Sequence, residues 1–318
     1  MSKKKDTKIK ISNLTFLLAI LTLLLFLFLP GQNIYQVSLE NSKPVAVGAH
    51  FVIPSPAPYP INTNGILPPS ISAQGVLITD VVSQVVLYEK NSQMSLEPAS
   101  TTKIMSALVA LDYFKMDDIL TVKEASVDGK IMNIFPGQKF TFENLLYGML
   151  VDSANDAAMA IAGNYPGGLD SFVKKMNEKA KDLSLFKTHF TNPVGFEDNN
   201  HITTAVDLAR LANFAMSDST IARMVGTAGI TVADAGFGHF YALQNVNELL
   251  GKVPGVLGIK TGWTENAGEC LVTEVMKDNH KIMIVILGSQ DRFGETKTLI
   301  DWVFNNFVWA ATDSPKPD

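Results

Sequence analysis

The sequence predicts an α+β domain: one antiparallel sheet formed by both ends of the domain, a helical subdomain between them, and a transmembrane segment in front. Three observations carry this. Short β-rich runs occur early, at 75–80 and 85–88, and return only late, at 256–261, 271–277 and 281–287. The interval between holds the helical patterns. An apolar run sits behind a cluster of lysines at the N-terminus.

That cluster comes first in order. Residues 1–12 carry five lysines against one aspartate, a local charge of +4, and read as a cytoplasmic basic tail. Residues 14–29 are sixteen positions broken only by Thr15 and Thr22, within a 13–30 anchor or signal segment. Pro30 and Gly31 follow the run, and the nearest small-residue site, Val47-Gly48-Ala49, is far downstream. This favours an uncleaved anchor, with a cleaved signal as the alternative. The run is slightly short of the roughly 20 residues that span a bilayer. Ile9 and Ile11 can extend it, with lysines snorkelling to the interface. The folded domain then lies outside the membrane.

Residues 31–70 contain seven of the 15 prolines, with Pro54, Pro56, Pro58 and Pro60 at alternate positions. Alternate prolines feed neither a helix nor a central strand, so this segment reads as an extended spacer. A folded domain over 71–310 and a tail over 311–318 complete the chain.

Within the domain, the runs 75–80 and 85–88 read as a hairpin. Residues 104–111 are apolar except Ser106, the pattern of a buried central helix. Further helices are expected at 143–150, 155–162, 169–183 and 205–216. The last opens with Thr204 and Asp207 at capping-box spacing. A closing helix over 296–306 carries Leu299, Trp302, Val303 and Phe307 at helical spacing.

Composition excludes several functions. One cysteine in 318 residues rules out an internal disulfide framework. The net charge of −5, or −9 without the basic tail, argues against nucleic-acid binding. Nucleophile-elbow, zinc-helix and phosphate-loop motifs are absent; Ile259 interrupts the one faint phosphate-loop match. No metal or cofactor is expected.

A serine–lysine arrangement remains. Ser-x-x-Lys on a helix puts a hydroxyl and an amine on one face, and a neutral amine can act as base for the hydroxyl. The pattern occurs four times. Ser2 lies in the tail, Ser171 on a highly charged helix, and Ser184 just past that helix. Ser100 and Lys103 differ, because the buried helix follows at once. Free backbone N–H groups and a positive dipole end favour an oxyanion there. An ordinary N-cap serine is the bland alternative. Two triplets shift the balance: Ser153-Ala154-Asn155 is the only S-x-N, and Lys260-Thr261-Gly262 the only K-T-G.

Ser100-Thr101-Thr102-Lys103, Ser153-Ala154-Asn155 and Lys260-Thr261-Gly262 resemble, in order, the three signatures of penicillin-binding proteins and serine β-lactamases. Their flanks, with Asn192-Pro193-Val194-Gly195-Phe196 and Ala267-Gly268-Glu269-Cys270-Leu271, look like low-molecular-mass D-alanyl-D-alanine carboxypeptidases. The resemblance covers roughly 71–308. It implies that Ser100 is acylated, Lys103 is its base, Ser153 relays a proton under the influence of Lys260, and Asn155 holds Lys103 and the substrate amide. It further implies an oxyanion hole at the backbone of Ser100 and Trp263, and substrate binding by Thr261, Gly262 and Trp263. Arg292 is the best nearby cation for the substrate carboxylate, with a surface ion pair as its alternative.

The implied substrate is a peptidoglycan stem peptide, and β-lactams are implied as inhibitors. The departures are Trp263, where Tyr, His or Phe is more familiar, and Val246, where some relatives carry arginine. Cys270 reads as a buried apolar residue. Rival readings are a D,D-endopeptidase of the same family, a β-lactamase, for which no deacylating glutamate can be placed, and an inactive wall-binding homologue.

Overall fold

The computed structural model describes residues 13–28, 58–123 and 128–310. The basic tail, most of the spacer and the 311–318 tail lie outside the described residues. The chain divides into two units, residues 1–54 and 55–318.

In the first unit, α1 (Asn13–Phe28) is a 16-residue helix with an uninterrupted apolar sequence apart from its threonines. Thr22 returns its hydroxyl to the Leu18 and Ala19 carbonyls, which satisfies it within the helix. At 1.5 Å per residue the helix is about 24 Å long. No helix among the described residues is long and apolar enough to cross a membrane.

The second unit is built on a five-stranded antiparallel sheet. Its strands are β2 (Gly75–Asp80), β3 (Val86–Lys90), β8 (Val256–Thr264), β9 (Gly268–Lys277) and β10 (His280–Ser289), in the order β3-β2-β10-β9-β8. Both ends of the domain therefore meet at its centre, where Ile78 faces Ile284 across β2 and β10. Side chains alternate across the sheet. Val76, Ile78, Ile282, Ile284 and Ile286 pack on α8 (Arg292–Asn306) through Leu299, Trp302 and Val303. Leu77, Met283, Val285 and Val272 face the helical side.

That side centres on α2 (Lys103–Leu111), in which every residue from Lys103 to Ala110 is buried. Around it pack α3 (Phe142–Leu150), α4 (Asn155–Asn164), α5 (Gly168–Asp182) and α6 (Ala205–Met216). The helices start where their caps say they should. Thr141 accepts from Asn144 N–H, Thr204 from Asp207 N–H, and Asp291 from Gly294 N–H.

Four features differ from expectation. First, β1 (Tyr59–Asn62) lies inside the predicted spacer and pairs with β11 (Phe307–Ala310). The folded unit thus begins before residue 71, and Phe307 opens a strand instead of extending the closing helix. Pro60 is tolerated because this ribbon has only two strands. Second, Asp207 does not complete a capping box. Its carboxylate accepts instead from Lys187 N–H and the Thr188 hydroxyl. Third, two small ribbons, β4 (Ile119–Thr121) with β5 (Lys139–Thr141) and β6 (Gly229–Ala233) with β7 (Phe240–Gln244), had no counterpart in the sequence reading. Fourth, neither had α7 (Ser219–Val225), which Asp218 caps.

Candidate active site

Ser100 sits in a 3-10 turn (Ala99–Thr102) that runs directly into α2. Its side chain is not a cap; no side-chain cap hydrogen bond forms at either helix start. The i,i+3 spacing brings Lys103 Nζ to 2.7 Å from Ser100 Oγ. Lys103 is fully buried, and its amine has two further neighbours, Asn155 Oδ1 at 2.7 Å and the Val194 carbonyl at 2.9 Å. Both of these oxygens can only accept. A neutral Lys103 therefore spends its two hydrogens on them and turns its lone pair to Ser100 Oγ–H. Burial, and then the charge of Lys260, hold the Lys103 pKa well below the usual lysine range, with Asp156 opposing.

A second Ser–Lys pair faces the first. Ser153 lies between α3 and α4 with φ +60°, a left-handed conformation unusual for a side-chain-bearing residue. Lys260, on β8, donates to Ser153 Oγ at 2.8 Å and to the Thr261 carbonyl at 3.2 Å. It too is buried. Burial and the neighbouring Arg292 charge lower its pKa to about 7, with Asp152 pulling the other way.

Two glycines let these parts approach. A Cβ on Gly195, where φ is +92°, would stand 1.9 Å from the Ala99 carbonyl oxygen. One on Gly262 would stand 2.9 Å from Ser100 N. Without side chains there, the Val194–Phe196 loop and strand β8 both lie against the acylating turn.

Between the walls is a cleft of about 550 Å³. Ser100, Ser153, Asn155, Thr261 and Arg292 line it, with Gly262 and an exposed Trp263 at the β8 wall. Lys103 and Lys260 lie beneath it. Each reaches the cleft through a serine hydroxyl, so both amines stay dry while their serines meet substrate. All nine residues singled out from sequence are thus brought to one place.

Three details correct or extend the reading. Asn155 holds Lys103 as expected, but its Nδ2 already donates to the Asp128 carbonyl at 2.6 Å, leaving one hydrogen for substrate. Arg292 makes no ion pair among the described residues. It donates from Nη1 to the Gly262 carbonyl at 2.8 Å, stacks on Phe293 and leaves a buried Nε without a hydrogen-bond partner. Cys270 is fully buried, and burial pushes its thiol up to about 11, which makes it inert at neutral pH.

Sequence reasoning missed the backbone carbonyl that holds Lys103. The Val194 carbonyl carries no side-chain signal, although the turn that aims it does. Asn192 Oδ1 accepts from the N–H groups of Val194, Gly195 and Phe196, and the Pro193 carbonyl accepts from Ser106 on α2. Asp156 was missed as well. It is buried and accepts from Met132 and Ile134 N–H, fixing the segment that passes Asn155.

Known proteins share this arrangement. A family model described as D-alanyl-D-alanine carboxypeptidase matches residues 62–291. The D-alanyl-D-alanine carboxypeptidase DacF of Bacillus subtilis is 35% identical over 232 residues, 70% of this chain and 59% of that protein's length. A D-alanyl-D-alanine endopeptidase of Pseudomonas aeruginosa is 30% identical over 88% of this chain and 91% of its own. The crystal structure of the Streptomyces K15 DD-transpeptidase superposes with a TM-score of 0.71 at 28% identity, covering 76% of this chain and all of that one. With its motifs assembled and the family model matched over residues 62–291, the chain belongs to the D-alanyl-D-alanine carboxypeptidase family.

Proposed function

We propose that the protein is a serine-type D-alanyl-D-alanine carboxypeptidase that removes the last D-alanine from peptidoglycan stem peptides. The single observation that carries this is the buried Lys103 amine, 2.7 Å from Ser100 Oγ and held there by Asn155 Oδ1 and the Val194 carbonyl. Ser100 Oγ gives its proton to Lys103 Nζ and attacks the carbonyl of the D-Ala-D-Ala bond. The backbone of Ser100 and Trp263 stabilises the oxyanion. As the C–N bond breaks, the leaving amine takes a proton through the Ser153 hydroxyl, resupplied by Lys260. Water then hydrolyses the ester on Ser100 and frees the enzyme.

Arg292, with its spare guanidinium hydrogens, and Thr261 receive the terminal carboxylate. β-Lactams acylate the same serine and block it. The apolar α1 tethers the domain to the outer face of the cell membrane, with the basic tail inside.

A second reading, D,D-endopeptidase, is favoured by the Pseudomonas relative, which matches over 91% of its length. Incubation with a pentapeptide and with a cross-linked dimer separates the two. Release of free D-alanine from the pentapeptide with an intact dimer is the expected result. Dimer cleavage without D-alanine release would replace the first reading with the second.

A further inference from the structure

One buried titratable group has no part in the chemistry above. His201 is 1% exposed and lies between the acylating turn and the loop that follows Phe190. Its Nδ1 accepts the Thr191 backbone N–H at 3.0 Å. A backbone N–H only donates, so Nδ1 carries no hydrogen and Nε2 does. Nε2 then donates to Thr102 Oγ1 at 2.7 Å. The ring also meets Phe190 edge-on.

The two residues it joins matter. Thr102 immediately precedes Lys103. Thr191 opens the loop whose Val194 carbonyl receives a hydrogen from Lys103. We propose that His201 is a positioning residue for acylation: its neutral ring ties the 191–196 loop to the acylating turn and so keeps Val194 on Lys103. This rests on the roles given above to Ser100 and Lys103.

The consequence is electrostatic as well as geometric. The ring is neutral at physiological pH, because burial lowers its pKa to about 4 while Asp198 and His189 act in opposite senses. A proton on Nδ1 would set it against the Thr191 N–H. If the tie is cut, the loop relaxes and water reaches Lys103. Lys103 is depressed chiefly by burial, with Lys260 aiding and Asp156 opposing. Hydration therefore raises its pKa, and the acid limb of acylation moves to higher pH.

The test measures the second-order acylation rate by benzylpenicillin against pH, with thermal melting alongside. His201→Gln keeps a donor for Thr102 but loses the Thr191 contact. His201→Asn places an acceptor near Thr191 but loses Thr102. Both are expected to acylate roughly tenfold to a hundredfold more slowly at pH 7. Their acid limb is expected to sit at least about half a pH unit higher. Thr102→Val, which removes only the hydroxyl, moves the limb the same way and serves if the histidine variants do not fold. Variants that melt earlier but keep the wild-type pH profile would overturn the proposal and leave His201 a structural residue. Failure of the wild type to acylate at all would instead strike the reading of Ser100.

Discussion

The two Ser–Lys pairs of the cleft use the same side chains in different ways. Ser100 and Lys103 are one helical turn apart, and the amine has three partners at 2.7–2.9 Å. Ser153 and Lys260 are 107 residues apart, on a helix junction and a strand, and among the described residues the amine donates, apart from the serine, only to the Thr261 carbonyl. Both lysines are buried, yet their pKa values are lowered by different neighbours. Burial is the largest cause for both, and to it the charge of Lys260 adds at Lys103 and that of Arg292 at Lys260. Burial reinforced by these cations holds Lys103 well below the usual lysine range and leaves Lys260 titrating near 7. The lesson is that burial lowers both amines, while the partners each one holds and the charge beside it distinguish the two pairs.

The largest expected break in this comparison comes from Lys103→Met. Without a base at the acylating pair, acylation by penicillin should fall roughly a thousandfold or more. The variant should keep its fold, because methionine fills the buried space. A loss under tenfold would mean that another group takes the Ser100 proton.

A smaller effect sharpens the second pair. Lys260 has a pKa of about 7, so it is protonated and able to resupply Ser153 below that pH, and it loses this ability above it. The wild-type kcat/KM on a D-Ala-D-Ala peptide should therefore show an alkaline limb near pH 7. Lys260→Met should lower the plateau roughly a hundredfold and abolish that limb. A limb that persists unchanged in the variant would assign it to a different group.

The contrast also explains what the sequence made legible. The first pair is local, so Ser-x-x-Lys before an apolar helix was visible as one pattern. The second pair emerged only when S-x-N and K-T-G were taken together. Central strands such as β2 and β10 were readable because consecutive apolar and β-branched residues run through them, buried on both faces. The β1–β11 ribbon was not. It has four residues on each side, one of them proline, and the partners are separated by almost the whole domain. The Val194 carbonyl and the His201 ring escaped for a related reason. One is a main-chain atom, and the other is defined only by two segments that meet in the folded chain.

The most direct test of the central claim is to acylate the protein with a labelled penicillin, digest it and locate the adduct by mass. The account predicts a single acyl mass on the peptide that contains Ser100, absent from a folded Ser100→Ala variant. Label on Ser153, or label that survives Ser100→Ala, would contradict it.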